Sequence, residues 1–283
     1  MLKLQTYVDC GRAEKTFTPE DRIMVLGSCF ADNMGSRMKE AGLEVCVNPF
    51  GTLYNPLSIL AALERLDSGK AFTEADCVEM GAGAGLWCSF SHHSSHARGT
   101  REDFLRDANE SLAQAVMFWE KCTRLIITLG TSWVFFRDGR AVSNCLKRPA
   151  AEFQRRMLEL RECSEAISKI SDLAGGRHIT FTVSPIRHLA DGAHGNSLSK
   201  ATLMLCVEEA VKGSVHEYFP ACEIVLDELR DYRFYAEDMT HPSSQTTGYI
   251  WERFREWAYS DAGNAKILEN EKAARRSRHR PMH

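Results

Sequence analysis

Three points in this sequence combine sharp turns with side chains able to do chemistry. Gly27-Ser28-Cys29 joins an apolar run, Arg22–Leu26, to a helical pattern. Such a turn aims a side chain and the first free N–H groups of the helix into the same space. The positive end of the helix lowers a thiol's pKa, and unpaired amides can hold an oxyanion. Asp238 and His241, spaced D-x-x-H before the last helical stretch, supply a complementary part. A carboxylate bonded to one imidazole nitrogen leaves the other free as general base for a nucleophile. Arg187 and His188 form the third point, after another apolar run. Each motif also has an ordinary reading: a tight turn with a Ser helix cap, a surface turn, an ion pair of Arg187 with Asp191 or Asp238, a structural His188.

These segments can meet only if the chain between them folds back on itself repeatedly. Five β-like runs are present: Arg22–Leu26, Glu44–Val47, Leu125–Leu129, His178–Val183 and Cys222–Leu226. Several are nearly continuous apolar runs, as in parallel strands covered on both faces. Helical patterns over Asp32–Ala41, Asn55–Leu66, Arg101–Cys122, Pro149–Leu173, Asn196–His216 and Pro242–Tyr259 lie between and after them. That alternation predicts an α/β fold with right-handed crossovers. In open parallel sheets ligands bind beyond the carboxyl ends of the strands, which is where the three points fall. One domain is expected over residues 1–260. Within it, 71–99 reads as an insertion or lid and 133–148 as a hairpin turning at Asp138-Gly139. Residues 261–283 read as a basic, disordered tail.

Composition removes several classes of function. Apolar residues make up 44% and charged residues 26% of the 283, the balance of a globular chain. The net charge is −3, and the last dozen residues carry five basic groups and no acid. The body is therefore more acidic still, which argues against a nucleic-acid partner. No stretch approaches the ~20 apolar residues of a membrane span. Met1–Arg12 lacks the basic-then-apolar order of a signal peptide, so a cytoplasmic location is expected. The ten cysteines include no C-x-x-C pair, which fits reduced thiols rather than a disulfide or zinc scaffold. His92, His93 and His96 form H-H-x-x-H, but on Ser- and Gly-rich flanks and without the Glu of H-E-x-x-H. A loop offering His93 to a substrate is expected there, with no metal and no cofactor. Lys200 reads as solvated or paired. Oligomeric state is not legible.

Taken together, the motifs resemble the SGNH (GDSL-type) hydrolase superfamily and, within it, the GSCFA family. The name motif stands as Gly27-Ser28-Cys29-Phe30-Ala31. Similar stretches run from Asn48 to Pro56, over Leu129-Gly130-Thr131, Ser143-Asn144-Cys145 and Ser184 to His188, and from Asp238 to Ser243. The likeness covers Thr16 to Trp257. It implies a three-layer α/β/α sandwich with a five-stranded parallel sheet, flavodoxin-like in order. It also implies an acyl-ester hydrolase or acyltransferase acting through a nucleophile–His–Asp triad. The substrate class implied is an O-acyl, often O-acetyl, group on a carbohydrate or other small alcohol.

The match departs from the superfamily pattern at two places. Where that pattern reads Gly-Asp-Ser, this chain reads Gly27-Ser28-Cys29, which puts Cys29 at the nucleophile position. A thiol nucleophile, a Ser28 nucleophile in shifted register and a lost activity are the three readings left open. Where the pattern has Gly-x-Asn-Asp, Ser132 replaces the oxyanion-binding Asn. Asn144 is then a candidate for the missing amide, and Gly51 for a second donor. Asn55, Thr131, Arg187, His188 and His93 are candidate substrate contacts. The alternative function is an inactive binding module for glycan or acyl ligands.

Overall fold

The structure is a computed structural model and describes residues 5–278. Its first half contains β1 (Arg22–Gly27), α1 (Cys29–Glu40), β2 (Glu44–Val47), α2 (Pro56–Ser68), β3 (Val78–Glu79), β4 (Trp87–Cys88) and α3 (Arg101–Lys121). There follow β5 (Arg124–Leu129), β6 (Trp133–Arg137), β7 (Arg140–Val142), β8 (Gln154–Met157) and α4 (Leu160–Leu173). The last third holds β9 (His178–Val183), α5 (Gly192–Val211), β10 (Glu217–Tyr218), α6 (Ala221–Glu223), α7 (Ser244–Ala258) and α8 (Asp261–Arg278).

Five strands form the central sheet in the order β2-β1-β5-β9-β10, all parallel. Every residue of β5 and β9 is buried, because helices cover both faces. Side chains alternate between two cores. Met24, Leu26, Leu125, Ile127, Ile179 and Phe181 face the α2–α5 side. Ile23, Val25 and Ile126 face the side closed by α1, α7 and α8. The result is the expected three-layer α/β/α arrangement. In strand order it reverses between β1 and β5, the position where doubly wound sheets open a ligand crevice.

Four expectations about elements are corrected. The fifth strand is Glu217–Tyr218 rather than Cys222–Leu226. The latter run coils through α6 into a π-helical turn, Ile224–Leu229. Its apolar character comes from burial of Cys222, Ile224 and Val225 in the two cores, and a short apolar run does not distinguish strand from helix. Pro149–Leu173 is not one helix. Gln154–Met157 pairs antiparallel with β6, so the expected hairpin, β6 and β7, gains a third strand on the other edge of β6. Helix α1 begins at Cys29, three residues earlier than expected, because Ser28 caps it. The segment expected to be a disordered tail forms α8 over Asp261–Arg278, and residues 279–283 lie outside those described. Ile267 is fully buried, Asn270 donates to the Ala41 carbonyl at 3.0 Å, and Trp251 donates to Glu271 at 2.6 Å. The 71–99 segment is mostly irregular, with one short antiparallel pair, β3 and β4.

The turn after β1 tolerates only glycine. Gly27 has φ +143°, and a Cβ there would lie 2.1 Å from the Thr128 carbonyl oxygen on β5. Gly27→Ala is expected to destabilise the fold by more than about 2 kcal/mol, from a clash with backbone and a left-handed strain. Urea unfolding measures this. An unchanged midpoint would show that the turn relaxes freely.

Candidate active site

The β1–α1 turn is pinned from two sides. The Gly27 N–H donates to Asn48 Oδ1 at 2.8 Å, and Asn48 Nδ2 donates to Asp32 Oδ1 at 2.7 Å. Burial raises the Asp32 carboxyl pKa, with the Asn48 bond opposing that rise. The Ser28 N–H donates to Thr128 Oγ1 at 3.1 Å. Ser28 Oγ caps the helix by accepting from the Phe30 N–H at 3.3 Å, and it lies 3.4 Å from Thr128 Oγ1. Ser28 is 1% exposed. Its hydroxyl is thus committed to the cap, although the residue touches the cavity.

Cys29 is the first residue of α1 and half-buried. Its N–H lies in the first turn, where no intrahelical acceptor exists. Its Sγ lies 3.6 Å from the Tyr54 hydroxyl. Thr52 donates its own hydroxyl proton to that oxygen at 3.2 Å. Burial pushes the Tyr54 pKa up to about 12, so the phenol stays protonated. With its oxygen already accepting from Thr52, the Tyr54 hydrogen is free to point at sulfur.

The D-x-x-H turn is built by its own carboxylate. Asp238 Oδ1 accepts from the Thr240 and His241 backbone N–H groups at 2.9 and 3.0 Å. Oδ2 meets His241 Nδ1 at 2.6 Å. The His241 bonds first, then the Thr240 amide, hold the Asp238 pKa down to about 2. A carboxylate on Nδ1 fixes the tautomer that leaves Nε2 as the working nitrogen. Arg187, just past β9, fastens this turn to the sheet. Its backbone N–H donates to the Thr240 carbonyl at 3.1 Å and its Nη1 to the Met239 carbonyl at 2.9 Å.

Ser28, Cys29 and His241 line one cavity of about 460 Å³. Its walls also include Tyr54, Asn55, Thr131, Asn144, Arg155, Arg187 and His188, with Trp133 and Phe135 from β6. Asn55 caps α2, its Oδ1 accepting from the Ser58 N–H at 2.9 Å. Asn144 Oδ1 accepts from the Leu146 N–H at 2.8 Å. A backbone donor therefore orients each amide, and neither Nδ2 has an acceptor among the described residues. The cavity thus gains two amide donors. Asn144, a candidate oxyanion donor, and Asn55, a candidate substrate contact, both line this cavity.

Other candidates are placed differently. Ser132 is fully buried and outside the cavity lining; its N–H and hydroxyl are taken by Ser199 Oγ at 2.8 and 3.2 Å. The Gly51 N–H closes a turn on the Asn48 carbonyl at 2.7 Å, so neither Ser132 nor Gly51 is a free oxyanion donor. His93 also lies outside the lining, its Nδ1 bonded to Ser95 Oγ at 2.9 Å. His92 is buried against Phe50, Phe72 and Phe104, with Ser89 Oγ 2.7 Å from Nδ1. No metal-binding cluster of three or more His, Cys, Asp or Glu occurs among the described residues. Arg187 pairs with neither Asp191 nor Asp238. Asp191 is the partner of Arg155 instead.

Sequence reasoning did not single out Tyr54, and it placed Lys200 in solvent or in an ion pair. Lys200 is buried, and its Nζ donates to the Gly130 carbonyl at 2.6 Å and the Ser184 carbonyl at 2.7 Å. Desolvation lowers its pKa to about 8. Burial, helped by the Lys200 charge, pushes His188 down to about 4, so His188 is a neutral wall of the cavity at pH 7.

The model of the GSCFA family matches residues 22–254. The chain belongs to the GSCFA family. The match runs from the first residue of β1 into α7 and includes every residue that lines the cavity. None of the curated proteins compared matches this GSCFA chain. No helix among the described residues is long and apolar enough to cross a membrane.

Three desolvated imidazoles give this GSCFA protein an acid-labile component. Burial lowers His92 and His178 to about 3 and His188 to about 4. The unfolded chain takes up these protons below about pH 6.5, whereas the fold refuses them. Their contribution is complete above that pH and is lost as pH falls toward the folded values. Each adds up to about 1.4 kcal/mol per pH unit to the slope. His188→Gln should therefore flatten the loss of urea stability between pH 6.5 and 5 relative to wild type. Parallel curves would contradict a neutral, desolvated His188.

Proposed function

We propose that this protein is an SGNH-type acyl-ester hydrolase or acyltransferase acting on O-acyl, chiefly O-acetyl, groups of a carbohydrate or small alcohol. The observation that carries this reading is the placement of Cys29 and His241 on one cavity, with Asp238 bonded to the far imidazole nitrogen. Cys29 is the nucleophile in this mechanism and Ser28 its helix cap. The cap's committed hydroxyl and the free Cys29 N–H support that division.

His241 Nε2 removes the thiol proton as Sγ bonds to the acyl carbon. The carbonyl π electrons move to oxygen, where the Cys29 N–H and the Asn55 and Asn144 amides supply donors. The tetrahedral species collapses, the C–O bond to the alcohol breaks, and His241 returns its proton to the leaving oxygen. His241 then deprotonates water, or an acceptor alcohol, which attacks the thioester carbon; the C–S bond breaks and His241 returns that proton to the Cys29 sulfur. Asp238 remains ionised throughout and stabilises the imidazolium. Tyr54 donates a hydrogen bond to the sulfur.

The displacement of Ser132 and Gly51 from the cavity favours one competing reading, a binding module that has lost hydrolysis. Turnover of p-nitrophenyl acetate and of short S-acyl thioesters separates the two. Cys29→Ala and His241→Ala should each lower kcat/KM by roughly a thousandfold or more. Tyr54→Phe should lower it about tenfold with little change in KM. Ser28→Ala should act through stability, at about 1 kcal/mol for a lost cap. Mass spectrometry of Asp238→Asn after substrate addition should trap an acetyl group on Cys29. Equal rates in all variants and no acyl adduct would leave the binding module standing.

A further inference from the structure

A second cavity, of about 300 Å³, also has Arg187 in its wall. Val225, Leu226, Arg230, Asp231, Tyr232 and Tyr235 form the rest of that wall. Arg187 is thus the residue that the two cavities share. The guanidinium sits 5.7 Å from the Tyr232 ring centre and 5.4 Å from that of Tyr235. Apart from the Met239 carbonyl, it has no acceptor and no carboxylate partner among the described residues. The acids nearby in sequence are occupied: Asp231 is held by Arg233, and Asp238 by His241.

Arg230 adds a second cation, paired only at 3.7 Å with exposed Asp227. Its φ of 44° places a charged, bulky residue where glycine would be relaxed. Tyr232 is 68% exposed and Leu226 50% exposed, so the cavity presents an aromatic face and an apolar edge to solvent. The reactive cavity itself is lined by two arginines and no Asp or Glu. A half-buried guanidinium with spare donors, beside an aromatic face, suits a planar or tetrahedral oxyanion on a ring.

We propose that this second cavity is a subsite for an anionic group, carboxylate or phosphate, on the alcohol part of the substrate, held by Arg187 and Arg230 and packed on Tyr232. The anion site stands on its own geometry, and the alcohol and its direction rest on the acyl-ester reading above. His241 must reach the leaving oxygen to protonate it, so the alcohol lies on the His241 side. Arg187 is bonded to the turn that carries His241. A leaving alcohol therefore extends toward Arg187 and the second cavity, while the acyl group stays at Cys29.

Calorimetric titration of the whole protein with methyl glucuronide, glycerol 3-phosphate and methyl glucoside tests the subsite without any turnover. At least one anion should bind about tenfold or more tighter than the neutral sugar, from charge-assisted bonds to guanidinium. The tighter of the two names the source of the anion. Arg230→Gln and Tyr232→Ala should each erase most of that preference. Binding of both anions no tighter than methyl glucoside overturns the proposal. In a second arm, kcat/KM is compared for the acetyl esters of the tighter anion and of methyl glucoside, with p-nitrophenyl acetate as reference. The ratio of anionic to neutral ester should exceed about tenfold and approach one in Arg230→Gln. Hydrolysis of p-nitrophenyl acetate with no such ratio again overturns the subsite. Tight anion binding with no ester cleaved supports the subsite and overturns the esterase reading.

Discussion

A lysine ammonium buried between two main-chain carbonyls holds the candidate site open. Lys200 reaches from α5 to the Gly130 and Ser184 oxygens, one just past β5 and the other just past β9. Burying an ammonium is expensive unless polar groups replace its water, and no carboxylate ion pair to Lys200 is present among the described residues. The two carbonyls supply that replacement, and in doing so they fix the separation of the loops that follow them. Those loops carry Thr131 and Trp133 on one side and Ile186, Arg187 and His188 on the other. Beside Lys200, Ser199 takes Thr131 Oγ1 at 2.9 Å and the Ser132 N–H at 2.8 Å. One turn of α5 thus sets the cavity wall, and the same contacts draw Ser132 away from it.

The opposite wall depends on local turns rather than on a buried charge. Asn48, at φ 42°, bridges Gly27 and Asp32 and so couples the end of β2 to the start of α1. The Tyr54 carbonyl accepts from both the Gly130 and Thr131 N–H groups, at 2.8 and 2.9 Å. The Tyr54 ring therefore starts from a backbone locked to β5, which directs its hydroxyl to Cys29. Donor, thiol and helix N-terminus are then positioned by three separate strands of one sheet.

What was legible in the sequence follows the range of the interactions. The Asp238–His241 pair spans three residues, and the Ser28 cap spans two. Both could be read from spacing because neighbouring backbone dictates them. The sheet was legible for a related reason: fully buried parallel strands leave continuous apolar runs. Tyr54 at Cys29 spans 25 residues, and Lys200 at Gly130 spans 70. Neither has a local signal, since only the packing of α2 and α5 on the sheet creates the contact. The same limit explains Ser132. Its position in a motif pointed to the oxyanion, but a hydroxyl 67 residues away claimed it. Helix α8 was missed because its sequence is polar throughout apart from a few residues such as Ile267, whose burial depends on α1 and α7.

Eight of the ten cysteines become distinguishable on the same physical grounds. Cys88, Cys122, Cys163, Cys206 and Cys222 are buried in the core facing α2–α5. Burial pushes Cys88 and Cys222 up to about 11, where a thiol neither attacks nor oxidises readily. Cys46, on β2, is held up to about 11 by the same cause. Cys145 shares the cavity with Cys29, yet burial raises its pKa and it lies outside any helix start. Cys29 differs from all of these in its surroundings: the first position of a capped helix, a phenol hydroxyl and an imidazole on the same cavity. A serine in its place would meet the same surroundings but would part with its proton far less easily. The cysteine at the first helical position is thus the residue for which this turn, this cap and this histidine make chemical sense together.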